Sequence, residues 1–239
     1  MFPASAGGLD GRGHGGLGLA LLAILGRNLG RGRIPIFQPD SSGTGWWHAA
    51  LLAHRLLEHV DFAARLIQRQ GYVGTGIKQI AQEAQATLGS VYHFFPGGKA
   101  AVAVAAIKYG DEEFAAVLRA AMAAEADPGA AVQACAVELA VGLRESGWTD
   151  GCPVTAAALE TLGSDSEIQR ACAQALLGWE RIVEEKLLGS GFAAEDAREV
   201  ATTVISALEG AEVTAQVARS EEPLRAVGRQ LARLVGSYA

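Results

Sequence analysis

TLGSVYHFFPGGK, residues Thr87–Lys99, is the stretch on which the reading of this chain turns. Thr87 has the side chain of a helix N-cap, and Leu88, Val91 and Phe95 after it recur with helical period. Pro96-Gly97-Gly98 stops that helix sharply. Thr87, Gly89, Ser90 and His93 fall on the opposite face, and the Tyr92 hydroxyl has the reach to meet a phosphate. Small and polar in front, apolar behind, is what a helix entering the major groove of DNA requires. Lys99 opens the next helix, where its charge adds to the free backbone N–H groups of a helix start.

Working outward, the flanks complete the pattern. Upstream, Thr75 is placed to cap a short helix over Gly76–Ala84, with Ile77, Ile80 and Ala81 on its apolar face, and Gln85-Ala86 forms the connection. Thr75 and Lys78 can grip the DNA backbone from that side. Before it, Leu52, Leu56, His59/Val60, Ala63, Leu66 and Ile67 share one face of a helix that starts near Ala49 and stops at Gly71. Two short helices joined by a tight turn, between longer helices, predict a helix-turn-helix. Downstream, an Ala/Val-rich helix runs from Lys99 to about Ala124. Five more follow, over Gly129–Ser146, Pro153–Leu162, Ser166–Leu188, Ala194–Arg219 and Pro223–Ser237. No β-alternation competes and no internal repeat is present.

Composition agrees with an all-α chain. Of the 239 residues 50% are hydrophobic and only 6% aromatic, a balance suited to Ala- and Leu-rich helices. The net charge is −6, which by itself argues against a nucleic-acid partner. Its distribution argues the other way: Ala50–Lys108 is net +3 and Tyr109–Ala239 net −11. A small basic part can face a polyanion while a larger acidic part stays clear of it. Cys135, Cys152 and Cys172 fit neither a disulfide framework nor a CxxC metal spacing, so a reducing cytoplasm is the expected setting, without metal or cofactor. The apolar run Leu17–Leu25 is too short to span a bilayer. Met1–Trp47 is set apart by 12 glycines in the first 49 residues and is expected to be disordered or loosely attached. No G-x-S-x-G, P-loop or HExxH is present, and an enzyme is not expected.

Gly71–Ile107, GYVGTGIKQIAQEAQATLGSVYHFFPGGKAAVAVAAI, resembles the DNA-binding domain of TetR/AcrR-type transcriptional regulators. The Gly-Tyr before the first short helix and the Tyr-His-Phe-Phe-Pro before Gly-Gly-Lys carry the likeness. Further on, SGWTDGCPVTAAALE (Ser146–Glu160), GWERIVEEKLLGSGF (Gly178–Phe192) and ALEGAEVTAQVARSEEPL (Ala207–Leu224) resemble the ligand-binding domain of the LmrA/YxaF-like branch. The resemblance spans about Leu56–Ala239. It implies an atypical Gly-rich extension at 1–48, a helix-turn-helix domain at 49–108 and a helical ligand-binding and dimerisation domain at 109–239. It implies DNA contacts from Thr75, Lys78, Thr87, Ser90, Tyr92, His93 and Lys99, and a homodimer formed through 194–219 and 223–237. There Ala207, Gly210, Ala211, Ala215 and Ala218 would let helices approach closely. The implied function is a repressor released from a palindromic operator by a small apolar or aromatic effector.

Three features depart from the family pattern: Gln85 stands where the turn usually carries Gly, Leu88 where a Lys or other polar residue is usual, and LLAHRLLEHVDFAA where an Arg-rich first helix is usual. The last suggests that Met1–His59 partly reflects a frameshift or a misassigned start. It also opens a second reading, a helical small-molecule carrier that does not bind DNA. Phe114, Trp148 and Trp179 either line an effector cavity or pack in the core. Cys152, at a helix start before Pro153, is either a thiol with a lowered pKa that senses redox state or electrophiles, or a buried structural thiol.

Overall fold

The computed structural model describes residues 45–238 apart from Asp165, and side chains at Leu56 and from His59 onward. The expectations for the extension 1–48, for a misassigned start and for the run Leu17–Leu25 fall largely outside these residues. The chain divides into two units, Met1–Leu57 and Glu58–Ala239, and the second holds both the helix-turn-helix and the C-terminal helices.

The described residues form α1 (Gly45–Gly74), α2 (Ile77–Glu83), α3 (Leu88–Phe94), α4 (Gly98–Ala124), α5 (Pro128–Glu145), α6 (Pro153–Glu160), α7 (Glu167–Gly189), α8 (Ala194–Ala218) and α9 (Glu222–Gly236), and no strand. α1 breaks at Gly71, whose φ of 75° is the left-handed stop expected of it. Side chains start four of the helices. Thr87 accepts the Ser90 N–H at 3.1 Å, Asp127 the Ala130 N–H at 2.6 Å, Ser166 the Gln169 N–H at 3.1 Å and Cys152 Sγ the Thr155 N–H at 3.4 Å.

Two cores hold the helices. Around the helix-turn-helix, Val60, Ala63, Ala64 and Ile67 of α1 are buried, as are Ile80, Ala81, Val91, Phe95, Val102 and Ala106. In the C-terminal part α4 lies against α7, α7 against α8, and α5 against α9. Leu224, Gly228, Leu231 and Val235 form the buried stripe of α9. The α5–α9 seam is close: a Cβ on Gly228 would stand 2.7 Å from Ala136 Cβ, and one on Gly129 2.9 Å from the Ala232 carbonyl oxygen. Ala211 and Ala215 pack inward with Ala140, Leu143 and Leu224. That corrects the expected close-packing surface on α8, from which these two alanines are absent. Gly210, Val213, Val217 and Ala218 remain exposed there, Val217 at 82%. No described helix is long and apolar enough to cross a membrane.

Candidate nucleic-acid interface

The helix-turn-helix is built by local rules. α2 ends at Glu83 with Ala84 as its C-cap, and Gln85 takes up a left-handed φ of 49° so that the chain can reverse into α3. A non-glycine residue there costs about 1 kcal/mol relative to Gly. Val91 (0% exposed) and Phe95 (3%) anchor α3 from behind, while Leu88 is half-buried. Thr87, Gly89, Tyr92 and His93 are exposed on α3, and Ser90 is half-buried among them. The Thr87 oxygen is occupied as a cap acceptor, which leaves its O–H free to donate. Phe94 sits between the two imidazoles, 5.8 Å from the His59 ring and 5.3 Å from that of His93. It therefore packs rather than projects.

Two expected backbone contacts are differently placed. Thr75 does not cap α2: it is buried, its hydroxyl donates to the Gly71 carbonyl at 2.6 Å, and Gly76 takes the N-cap position. The reason is the break at Gly71, which leaves a carbonyl that Thr75, four residues on, can satisfy. Lys99 is half-buried. Its ammonium donates to the Val73 carbonyl at 3.2 Å and lies 4.4 Å from the centre of the Tyr72 ring. It ties the start of α4 to the end of α1 beyond the break at Gly71, and two of its three N–H donors remain for other partners. Lys78 is exposed on α2.

The end of α1 is tied to the C-terminal part at two points, one on each side of Gly71. Arg69 donates to both oxygens of Asp150, at 2.6 and 3.1 Å. This pairing holds the Asp150 carboxyl below its ordinary range. Glu160, the last residue of α6, accepts the Val73 N–H at 2.7 Å, and its carboxylate fills the space that a Cβ on Gly71 would take. α6 thus carries a link to the head just before its first residue and another at its last. Its first turn also packs tightly on α4, where a Cβ on Gly110 would stand 2.5 Å from Pro153 Cγ.

Of the residues considered for effector binding, Phe114 and Trp179 pack against each other in the core. Trp179 is fully buried, edge-on to Phe114 at 4.4 Å between ring centres, and its indole N–H donates to the Asp111 carbonyl at 3.3 Å. Trp148, with a left-handed φ of 70°, packs against the cluster of Leu143, Ala215 and Leu224. The Cys152 thiol is raised well above its ordinary pKa, by burial first and then by the charges of Glu209 and Glu212. Of the two readings of Cys152, this supports the buried structural thiol and not the lowered-pKa sensor, because desolvation outweighs the helix dipole here. None of the four lines the polar cleft of about 200 Å³ between Asp61, Arg65, Tyr109, Glu113 and Asp150, or the shallow one of about 350 Å³ along α5.

Comparison with known proteins places this geometry. Residues 60–106 match the model for bacterial regulatory proteins of the tetR family, and 128–230 that for the C-terminal domain of LmrA/YxaF-like transcriptional regulators. The chain is 32% identical over 173 residues to the HTH-type transcriptional regulator YxaF of Bacillus subtilis, covering 72% of this chain and 91% of that protein. It is 35% identical over 162 residues to the regulator LmrA of the same organism, covering 68% and 86%. Among solved structures, a regulatory protein TetR from Rhodobacter sphaeroides superposes with a TM-score of 0.66 at 23% identity, covering 74% of this chain and 96% of that one. A TetR regulator from Legionella pneumophila gives 0.66 at 21%, covering 74% and 95%. With its helix-turn-helix, its all-helical C-terminal part and these relatives, the chain belongs to the TetR family of DNA-binding transcriptional regulators, with an LmrA/YxaF-like C-terminal domain.

Proposed function

We propose that the chain is a homodimeric, ligand-responsive repressor in the cytoplasm. It holds a palindromic operator through a head at 49–108 and takes a small apolar or aromatic effector in the part at 109–239. The observation that carries the reading is the exposed row Thr87, Gly89, Tyr92 and His93 on α3, braced by Val91 and Phe95. Ser90 and Lys78 extend that row, and Lys99 and Thr75 act from behind it, Lys99 with its remaining donors and Thr75 by shaping the turn. Exposed Gly210, Val213 and Val217 on α8 support a second copy docking through 194–219 and 223–237, which sets two heads on successive half-sites.

The links Arg69–Asp150 and Glu160–Val73 support a route for release. An effector that binds better when α6 has moved would draw both links with it, and its differential affinity for the two states sets the limit of the response. The test is titration of the purified protein against DNA from upstream of its own gene, beside scrambled DNA, at several salt concentrations. Tight binding to the first alone, weakening steeply with salt, is expected. Equal binding to both overturns the reading in favour of the helical carrier.

A further inference from the structure

At the start of α6 the fold gathers three acids that operator binding leaves unused. Cys152 Sγ and one carboxylate oxygen each from Glu209 and Glu212 all lie within 4.8 Å of one another. The two glutamates are one turn apart on α8 and share a face. Cys152 approaches from another element, as the N-cap of α6. Thr155 orients two of the three groups: its hydroxyl donates to the Glu209 carboxylate, and its backbone N–H to Cys152 Sγ at 3.4 Å.

Glu212 is the independent sign. It is 9% exposed and finds no hydrogen-bond donor among the described residues, and the charge facing it is that of Glu209. Buried carboxylates are ordinarily paired or hydrogen-bonded, because taking one out of water uncompensated costs several kcal/mol. This one is aimed at a second carboxylate and a thiol instead. Coulomb repulsion and desolvation both act against it, and a cation at their common centre reverses both.

We infer that Cys152, Glu209 and Glu212 form a binding site for a divalent metal ion of the Zn²⁺ class. The donor set selects the class. A thiolate corner favours Zn²⁺ or Co²⁺ over Mg²⁺ and Ca²⁺, which call for six or more oxygens. Tetrahedral zinc with sulfur and carboxylate ligands sets its donor atoms about 3.5 Å apart. Small side-chain rotations bring atoms that already lie within 4.8 Å to that spacing. Binding forms one metal–sulfur and two metal–oxygen bonds and releases the thiol proton, with any carboxylate proton, to solvent. Nothing is oxidised. The fourth position stays open for water or a ligand atom, and Thr155 acts as the outer partner that fixes Glu209.

The site is assigned independently of the regulator reading, so operator binding and metal binding fail or succeed separately. The test uses the untagged full chain, reduced and stripped with chelator, titrated with CoCl₂. Saturation at one ion per chain is expected, with a near-ultraviolet thiolate-to-cobalt charge-transfer band that ZnCl₂ then displaces. Cys152→Ser should abolish the band, Cys172→Ser should leave it, and Glu212→Gln should weaken binding about tenfold or more. Absence of the band in the wild-type chain overturns the proposal whatever the variants do. So does its persistence in Cys152→Ser, or binding of MgCl₂ as tight as that of ZnCl₂. Circular dichroism of each variant separates lost ligands from lost fold.

Discussion

The helix-turn-helix and the C-terminal helices solve opposite problems. Between Thr75 and Phe95 the contacts that shape the turn close within five residues: Thr75 to Gly71, Thr87 to Ser90, and Ala86 N–H to Ala81. Beyond Pro128 the telling contacts join residues far apart. Thr155 meets Glu209, Arg144 meets Glu221, and Gly228 meets Ala136. A head that must present a fixed face to DNA is specified locally and survives neighbouring change. The C-terminal helices are specified by distant pairs, each able to shift as a unit.

The sharpest test of that contrast lies at the joint between the two. Gly71→Ala places a side chain where Glu160 sits and holds an L-residue at positive φ. It should cost about 2–4 kcal/mol in urea denaturation, from backbone strain and the orphaned Val73 N–H together. A loss below about 0.5 kcal/mol would break the claim that the joint is tight. Next comes the head itself. Tyr92→Ala combined with Lys99→Ala should weaken operator binding about a hundredfold and flatten its salt slope. Wild-type affinity in that pair would defeat the assigned face.

Within the head, two single changes should act with opposite sign by about 1 kcal/mol each. Gln85→Gly relieves the left-handed turn and raises the midpoint of thermal unfolding, and Thr87→Ala removes a cap and lowers it. The same sign for both would show that the turn is not governed locally. The smallest effect is electrostatic. Arg69 lowers the Asp150 pKa, so the pair contributes its full stabilisation above the ordinary aspartate range and loses it as pH falls through the lowered native value. Because the pair is partly exposed, Arg69→Met should cost at most about 1 kcal/mol at neutral pH and nothing in strong acid. Acid-dependent unfolding curves of the two proteins measure the difference.

This contrast also governs what was legible in the sequence. Helical period and caps placed every element after Gly71 within about two residues, because those signals are local. They found the exposed row on α3 for the same reason, whereas the left-handed turn at Gln85 was marked only by the family resemblance, which puts Gly there. They misplaced Thr75, since a Thr before a helix looks like a cap until the helix break at Gly71 behind it offers a carbonyl. Ala211 and Ala215 were assigned to a surface that small residues suggest equally well for a core. Glu160 and Asp150 looked like ordinary acids, and nothing near them in sequence points to Val73 or Arg69. Cys152 sits more than fifty residues from Glu209 and Glu212, so no spacing rule could gather them.

The Glu160 carboxylate lodged against Gly71 bears on chimera construction. A head exchanged at the end of the helix-turn-helix would arrive without the acceptor its own turn needs, and would leave Asp150 facing an unmatched residue. The transplantable module is discontinuous: the head travels with Asp150 through Glu160, and a foreign head set on this C-terminal part needs Gly71 and Arg69 written into it.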